Sequence, residues 1–204
     1  MTSFVFPGQG SQFLNMAKDF HDNFTVAKKI FEEIEDYTSI NLRQIIFSEN
    51  DDLLNQTQFT QISIFASSIS IFNTLKEEKN INTSNINFML GHSLGEFSAL
   101  ACSKILDLKQ SSILLKKRGE LMGNVVEKNI YGMVALIVCS ISEIENIIKD
   151  NNIDLEIAND NSPIQVVLSG RVDEIIKQES TFKKCGVKKY VRLNVSSAFH
   201  SVYM

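Results

Sequence analysis

The residues best suited to chemistry in this 204-residue sequence form the pentapeptide Gly91-His92-Ser93-Leu94-Gly95. It fits the G-x-S-x-G pattern, in which a nucleophilic serine sits on a sharp turn between a strand and a helix. An apolar run at 88–90 precedes it and a helical pattern follows from Glu96, so both elements are predicted. The pattern favours Ser93 as a nucleophile over a plain glycine-rich turn. It also directs the backbone N–H of Leu94 at a developing oxyanion.

A serine nucleophile requires a base, and the sequence contains three histidines. His21 lies in a polar segment and is expected at the solvated surface. His92 adjoins Ser93 on the turn, where neighbouring side chains point apart, so we expect it to pack or to bond backbone. His200 follows a strand and a run of small residues. Its place in the order of elements favours it as the base over a structural histidine.

Gln9 and Arg118 are further candidates, and each has a simpler alternative. Gln9 lies between two glycines in the loop 6–12, so its backbone N–H suits a second oxyanion donor, although a plain β-turn explains the same pattern. A dinucleotide loop is excluded because Phe13 stands where G-x-G-x-x-G needs its last glycine. Arg118 is either a solvated helix charge or a guanidinium that selects a substrate with a free carboxylate.

Two groups of elements are predicted to position these residues, and the first combines two apolar strands with amphipathic helices. The strands are predicted at 4–6 and 88–90. The helices are predicted over 25–37, 60–79 and 96–104, and from the N-cap Asp107 to about Val126.

The second group follows Asn129 and has the order β-α-β-β-α-β of a ferredoxin-like unit. Its strands are predicted at 133–139, 155–158, 166–168 and 190–193, and its helices at 142–149 and 173–185. Ser142 and Glu145 have the spacing of a capping box, and residues 159–163 are predicted to form a turn.

Composition excludes several classes of function. A net charge of −4 and a pI of about 5.4 argue against binding to nucleic acid or to an anionic membrane. Three cysteines without a C-x-x-C pair argue against a zinc site and favour a reducing compartment. No apolar run is long enough for a membrane span and no signal peptide is visible, so a cytoplasmic location is expected.

Five ordered motifs resemble those of the malonyl-CoA:acyl-carrier-protein transacylases and cover essentially the whole chain. The acyltransferase domains of polyketide and animal-type fatty-acid synthases share most of them. The motifs are F-P-G-Q-G-S-Q at 6–12, G-H-S-L-G-E-F-S-A-L at 91–100, Arg118-Gly119 with Met122, N-D-N-S-P at 159–163 with Q-V-V-L-S-G at 165–170, and V-S-S-A-F-H-S at 195–201 with Met204.

The resemblance implies an α/β fold in which an α/β-hydrolase-like parallel-sheet core, incomplete here, carries an inserted ferredoxin-like βαββαβ subdomain. The large subdomain would comprise residues 1–129 with the return segment 194–204. The small subdomain would comprise residues 130–193.

The resemblance also implies the reaction and the role of each site residue. Malonyl would pass from malonyl-CoA to the phosphopantetheine thiol of acyl carrier protein, in fatty acid biosynthesis, without a cofactor or metal. The chain would act as a monomer. The implied residues are the nucleophile Ser93, the base His200, the oxyanion donors Gln9 and Leu94, the carboxylate partner Arg118, and His92 lining the substrate site.

Members of the resembled family are usually longer than this chain. Their C-terminal part supplies core strands and the carbonyl that orients the histidine. We therefore expect the 204-residue form to be a fragment or a degraded remnant with little or no transferase activity. The alternatives are an inactive remnant, or a serine thioesterase or hydrolase that uses the same serine on a strand–helix turn (a nucleophile elbow).

Overall fold

The computed structural model describes residues 2–78, 81, 85–125, 130–137, 140–195 and 197–204. The chain divides into two compact units, Met1–Leu121 and Met122–Met204. Each unit has its own sheet and its own apolar core. The subdomain boundaries expected from the sequence, at 129 and 193, stay predictions.

Among the described residues, the sheet of the first unit has two parallel strands, β1 (Thr2–Phe6) and β2 (Ile86–Gly91). One face is covered, because Phe6 packs against Phe72 with ring centroids 6.1 Å apart. Parallel sheets are normally covered on both faces. The opposite face nevertheless carries three exposed apolar side chains: Val5, Phe88 and Leu90.

In the described residues of the first unit, six helices accompany this sheet, and the last of them extends three residues past Leu121. They are α1 (Lys18–Asn23), α2 (Thr25–Thr38), α3 (Leu42–Ile46), α4 (Thr57–Glu78), α5 (Gly95–Cys102) and α6 (Leu108–Asn124). Asp107 caps α6 as predicted, since its Oδ1 accepts a hydrogen bond of 2.6 Å from the Gln110 N–H. The short helices α1 and α3 were not predicted. The predicted helix ends at Lys79 and Val126 lie outside the described residues.

The longest helix, α4, is buried on almost all sides, with serine and threonine side chains among its apolar ones. Helix α6 approaches it closely at Gly119. A Cβ atom on Gly119 would lie 3.0 Å from Cα of Gln58 and 3.2 Å from the Thr57 carbonyl oxygen. Glycine therefore lets the two backbones meet at the start of α4.

The second unit is the ferredoxin-like unit that the sequence predicts. The elements β3 (Tyr131–Ile137), α7 (Ile141–Asp150), β4 (Leu155–Ser162), β5 (Gln165–Arg171), α8 (Val172–Lys184) and β6 (Lys189–Arg192) follow in order. They form an antiparallel sheet in the order β4-β5-β3-β6. The predicted α/β class, a parallel-sheet core with a ferredoxin-like insertion, is thereby confirmed.

Two local predictions in the second unit are wrong. The capping box uses Ser140 and Glu143, not Ser142 and Glu145, because two S-x-x-E patterns overlap and helix α7 begins at the earlier one. Strand β4 continues through the predicted turn to Ser162, because register shifts after Ile157 and after Asp160 let the polar segment keep its pairing with β5. The predicted strand end at Cys139 lies outside the described residues.

None of the helices in the described part of the chain is both long and apolar enough to cross a membrane.

Candidate active site

Ser93 lies on the sharp turn that joins β2 to α5. Its φ of 52° places a non-glycine residue in the left-handed region, which costs roughly 1–3 kcal/mol. The turn is closed by hydrogen bonds from the Gly95 N–H to the His92 carbonyl (2.9 Å) and from the Glu96 N–H to the Ser93 carbonyl (3.2 Å). The strand–turn–helix geometry of a nucleophile elbow is therefore present.

The elbow requires the two glycines that the sequence pattern contains. A Cβ atom on Gly91 would overlap the backbone of Gly95, and one on Gly95 would overlap the carbonyl of Phe6. The turn is also tied to the loop after β1, because the His92 N–H donates to the Phe6 carbonyl at 3.1 Å. Any side chain at either glycine would force this turn apart.

Leu94 and His92 flank the nucleophile in different environments. The Leu94 side chain is fully buried in the core of the first unit, and its backbone N–H lies at the start of α5. The first N–H groups of a helix have no intrahelical partner and favour a negative ligand. His92 is exposed, and its imidazole lies close to the backbone of Gly8.

Arg118 reaches Ser93 from helix α6. Its Nη2 donates a hydrogen bond of 2.9 Å to Ser93 Oγ, and its Nη1 donates a short hydrogen bond to Gln61 Oε1 on α4. The guanidinium also lies over the ring of Phe97, 5.9 Å from its centroid. These contacts exclude the alternative of a solvated helix charge and place a fixed cation beside the candidate nucleophile.

The environment of Arg118 is partly desolvated. Burial lowers the pKa of its guanidinium, and the nearby carboxylate of Glu96 partly opposes this shift. Arginine remains charged even so, since its ordinary pKa lies far above neutrality. A buried cation needs compensating contacts. A carboxylate entering this site would supply one.

Gln9 belongs to a loop that is held in one shape by several hydrogen bonds. Its Nε2 donates to Thr57 Oγ1 at 3.3 Å, and Gln12 Nε2 donates to Asn55 Oδ1 at 3.1 Å. The Gly10 N–H donates to Gln12 Oε1 at 2.8 Å. The loop contains the β-turn that the sequence allowed, closed by a hydrogen bond of 3.4 Å from the Ser11 N–H to the Gly8 carbonyl, and it is anchored to residues 55–57. The role of the Gln9 N–H as an oxyanion donor stays a prediction.

His200 lies in the second unit, in a turn that follows Phe199. Its side chain is exposed, and its φ of 57° is left-handed. The turn is held by a hydrogen bond of 2.6 Å from Ser169 Oγ to the Phe199 carbonyl and one of 3.0 Å from the Val202 N–H to Glu156 Oε2. Ser93 lies in the first unit, so its pairing with His200 stays a prediction. Ser196, part of the same motif, lies outside the described residues.

The expectation that His21 is a solvated surface residue is wrong. Its imidazole lies between the rings of Phe31 and Phe47, with centroids 5.7 Å and 5.2 Å away, and its Nδ1 is 3.0 Å from Asp22 Oδ1. The side chain is only 16% exposed. The aromatic contacts come from α2 and from the end of α3, an element that the sequence analysis missed.

Sequence reasoning also missed Thr57 and Gln61, two polar residues on one face of α4. Both are buried, at 4% and 0% exposure, and both contact a candidate site residue. A single turn separates them, but nothing in the local pattern of α4 marks them as functional. Among the described residues, no group of histidine, cysteine and acidic side chains could hold a metal ion.

Comparisons with known proteins agree with this geometry. A family model described as the acyl transferase domain matches residues 3–204. The chain is 35% identical to the malonyl-CoA–acyl carrier protein transacylase of polyketide biosynthesis in Bacillus subtilis, over the whole chain and 68% of that relative.

Two solved structures are similar to this chain in fold and in sequence. One is the malonyl-CoA:acyl carrier protein transacylase of Helicobacter pylori, with a TM-score of 0.91, 32% identity, and coverage of 100% of this chain and 64% of that one. The other is a malonyl-transacylase in complex with a type II polyketide synthase acyl carrier protein, with a TM-score of 0.92 and 33% identity. It is matched over 100% of this chain and 65% of its own length. The chain thus spans about two thirds of the length of these relatives.

Proposed function

Because the chain belongs to the acyl transferase family, we propose that its site transfers a malonyl group from malonyl-CoA to the phosphopantetheine thiol of an acyl carrier protein. The reaction would pass through a malonyl ester on Ser93 and serve fatty acid or polyketide synthesis. The observation that carries this proposal is the hydrogen bond of 2.9 Å between Arg118 and Ser93 Oγ.

That contact explains a preference for malonyl over a neutral acyl group. The carboxylate of malonyl is separated from its thioester carbonyl by one methylene group. When Ser93 Oγ attacks the carbonyl, the carboxylate therefore comes within reach of a guanidinium that already touches Oγ. A planar guanidinium binds a carboxylate with two parallel hydrogen bonds. Acetyl offers no such partner.

The chemistry is nucleophilic acyl transfer in two matched halves. His200 takes the Ser93 proton as Oγ forms a bond to the thioester carbonyl carbon. The N–H groups of Gln9 and Leu94 stabilise the tetrahedral oxyanion. The C–S bond then breaks, and CoA leaves as a thiol with the proton from His200. The carrier thiol attacks malonyl-Ser93 by the same steps and frees the serine.

Support for the carrier protein as partner comes from the relatives, one of which is solved with its acyl carrier protein bound. The site itself supports malonyl-CoA, because Arg118 selects an anionic acyl group. A thioesterase with the same elbow would give the same acyl-serine but release it to water. The fate of the acyl group therefore separates the two functions.

The test is a single-turnover acylation of the 204-residue chain at stoichiometric concentration. Incubation with malonyl-CoA should add one malonyl group, and peptide mass spectrometry should place it on Ser93. Ser93→Ala should not be labelled, whereas Ser103→Ala, which changes an exposed serine after α5, should be labelled normally. An unlabelled wild-type chain would contradict the proposed function.

Addition of carrier protein to the labelled chain distinguishes the alternatives. Transfer to the carrier thiol faster than loss to water supports a transacylase, even when steady-state turnover is low. Hydrolysis of the acyl-serine that is faster than transfer to the carrier thiol supports a thioesterase instead. Both rates are read from one enzyme equivalent, so that neither depends on steady-state turnover.

A further inference from the structure

We infer that the sheet of the second unit holds the backbone around His200 in the shape that aims its imidazole, and that Ser169 and Glu156 are positioning residues for this base. The inference rests on the proposed function, which gives His200 the role of base. The His200 turn, residues 199–203, receives one contact from each of three neighbouring strands. These contacts come from Ser169 on β5, Glu156 on β4 and Tyr131 on β3.

The strand register places these three side chains on one face of the sheet. Ser169 is paired directly with Glu156 on one side and with Met133 on the other, and directly opposed residues of antiparallel strands point to the same face. Tyr131 lies two residues before Met133 and therefore on that face as well. Helices α7 and α8 pack against the opposite face. The His200 turn is therefore seated on the face that these two helices leave open.

Two hydrogen bonds bracket His200 in the chain. The hydroxyl of Ser169 donates to the Phe199 carbonyl at 2.6 Å. Because that carbonyl shares a planar peptide group with the His200 nitrogen, this bond fixes the plane that leads into the residue. The Val202 N–H donates to Glu156 Oε2 at 3.0 Å and fixes the chain two residues later. Ser169 is fully buried, so bulk water does not compete for its hydroxyl.

A pair of tyrosine rings makes the third contact. The ring of Tyr203, in the turn, lies against the ring of Tyr131, with centroids 4.4 Å apart and planes inclined at 46°. Aromatic pairs of this kind stabilise beyond the burial of their area. Within the turn, Ser201 Oγ donates a hydrogen bond of 2.6 Å to the Ala198 carbonyl. The His200 turn is therefore attached to the sheet at three points and is also closed on itself.

The constraint matters because the backbone of His200 is strained. Its φ of 57° is left-handed, and a residue with a side chain stays in that region only when its surroundings impose it. Relaxation to a negative φ would turn the Cα–Cβ bond and carry the exposed imidazole with it. A general base must lie within hydrogen-bond reach of the proton it takes, and a displacement of about 1 Å can cost roughly 100-fold in rate. The three contacts therefore keep the base in one direction.

The first experiment measures single-turnover acylation of Ser93 by malonyl-CoA. Ser169→Ala and Glu156→Ala should each slow acylation by about tenfold, because each removes one constraint on the base. Glu156→Gln keeps an oxygen acceptor for the backbone N–H and should keep most of the rate. Glu145→Ala, which removes an exposed carboxylate from α7, should react like the wild type. Wild-type rates in both alanine variants at positions 156 and 169 would overturn the positioning roles.

The same changes in a His200→Ala background separate positioning from general damage to the fold. A positioning residue acts only through the base, so Ser169→Ala should slow acylation no further once the imidazole is gone. A second slowing of similar size would show damage to the fold and overturn the inference. The comparison is repeated with Glu156→Ala, whose side chain is only half-buried, so the test does not depend on the folding of the buried serine variant.

Nuclear magnetic resonance reads the backbone of His200 without any reaction. The three-bond coupling between the Phe199 carbonyl carbon and the Hα of His200 depends on φ. It should have the value of a left-handed residue in the wild type and in Glu156→Gln, and should move towards that of a negative φ in Ser169→Ala and Glu156→Ala. Unchanged couplings in the folded alanine variants would refute the constraint. Absence of Ser93 acylation in the wild type would instead refute the proposed function, since the coupling does not depend on the reaction.

Discussion

The substitution Arg118→Ala tests most directly whether Arg118 binds the malonyl carboxylate. It removes the donor to Ser93 Oγ and the donor to Gln61 Oε1. Removing one partner of a buried, hydrogen-bonded charge pair costs about 2–5 kcal/mol. Arg118 is only partly buried and lies near the carboxylate of Glu96, so the lower part of that range applies. A loss of about 2–3 kcal/mol corresponds to roughly a 30- to 150-fold fall in the preference for malonyl over acetyl.

The assay is the ratio of single-turnover rates on Ser93 with malonyl-CoA and acetyl-CoA. Using a ratio cancels any general damage to the elbow. Arg118→Lys keeps the charge without the planar fork and should give an intermediate ratio. Lys117→Ala, on the exposed side of the same helix, should give the wild-type ratio. If Arg118→Ala keeps the full preference for malonyl over acetyl, Arg118 does not bind the malonyl carboxylate.

Three further changes test the packing around the site. Gly119→Ala should lower the free energy of unfolding by about 0–2 kcal/mol, because overpacking against Gln58 outweighs the gain in helix propensity. The same variant should reduce the preference for malonyl over acetyl. A variant that is more stable than the wild type in thermal unfolding would contradict the close approach of α6 to α4. Ser140→Ala should lower the free energy of unfolding of the second unit by about 1 kcal/mol through loss of the α7 cap, whereas Ser142→Ala should not. Burial raises the pKa of the Cys102 thiol to about 12, so at pH 8 iodoacetamide should alkylate the exposed Cys185 far faster than Cys102. Labelling of Cys102 should increase as the pH rises. Equal alkylation rates of the two cysteines at pH 8 would refute the burial of Cys102.

The elbow and the ferredoxin-like unit could be predicted because short-range patterns encode them. The glycines on either side of Ser93 lie within one short turn, and short continuous apolar runs mark the central strands of the second unit. The contact between Arg118 and Gln61 could not be predicted, since 57 residues separate them and α4 is buried on nearly all sides. Its polar positions therefore carry no periodic signal that distinguishes a site residue from a packed one.

The predictions for His21 and for the capping box of α7 were wrong for a different reason. A histidine in a mostly polar segment is expected at the surface, yet two phenylalanine rings distant in sequence enclose His21. In the overlapping S-x-x-E patterns, tertiary packing decided the outcome, because starting α7 at Ile141 lets that residue pack on the core of the second unit. Local pattern alone gives both starts the same weight.

The described site of the first unit combines two structures that depend on different parts of the chain. The left-handed φ of Ser93 is maintained by the β2–α5 turn and its glycines. The orientation of Arg118 is maintained by the close approach of α6 to the start of α4. The two meet at the hydrogen bond between Arg118 and Ser93 Oγ. Because the nucleophile turn is built without α4 and α6, we expect changes at residues 61, 118 and 119 to alter acyl selectivity while the geometry around Ser93 is kept.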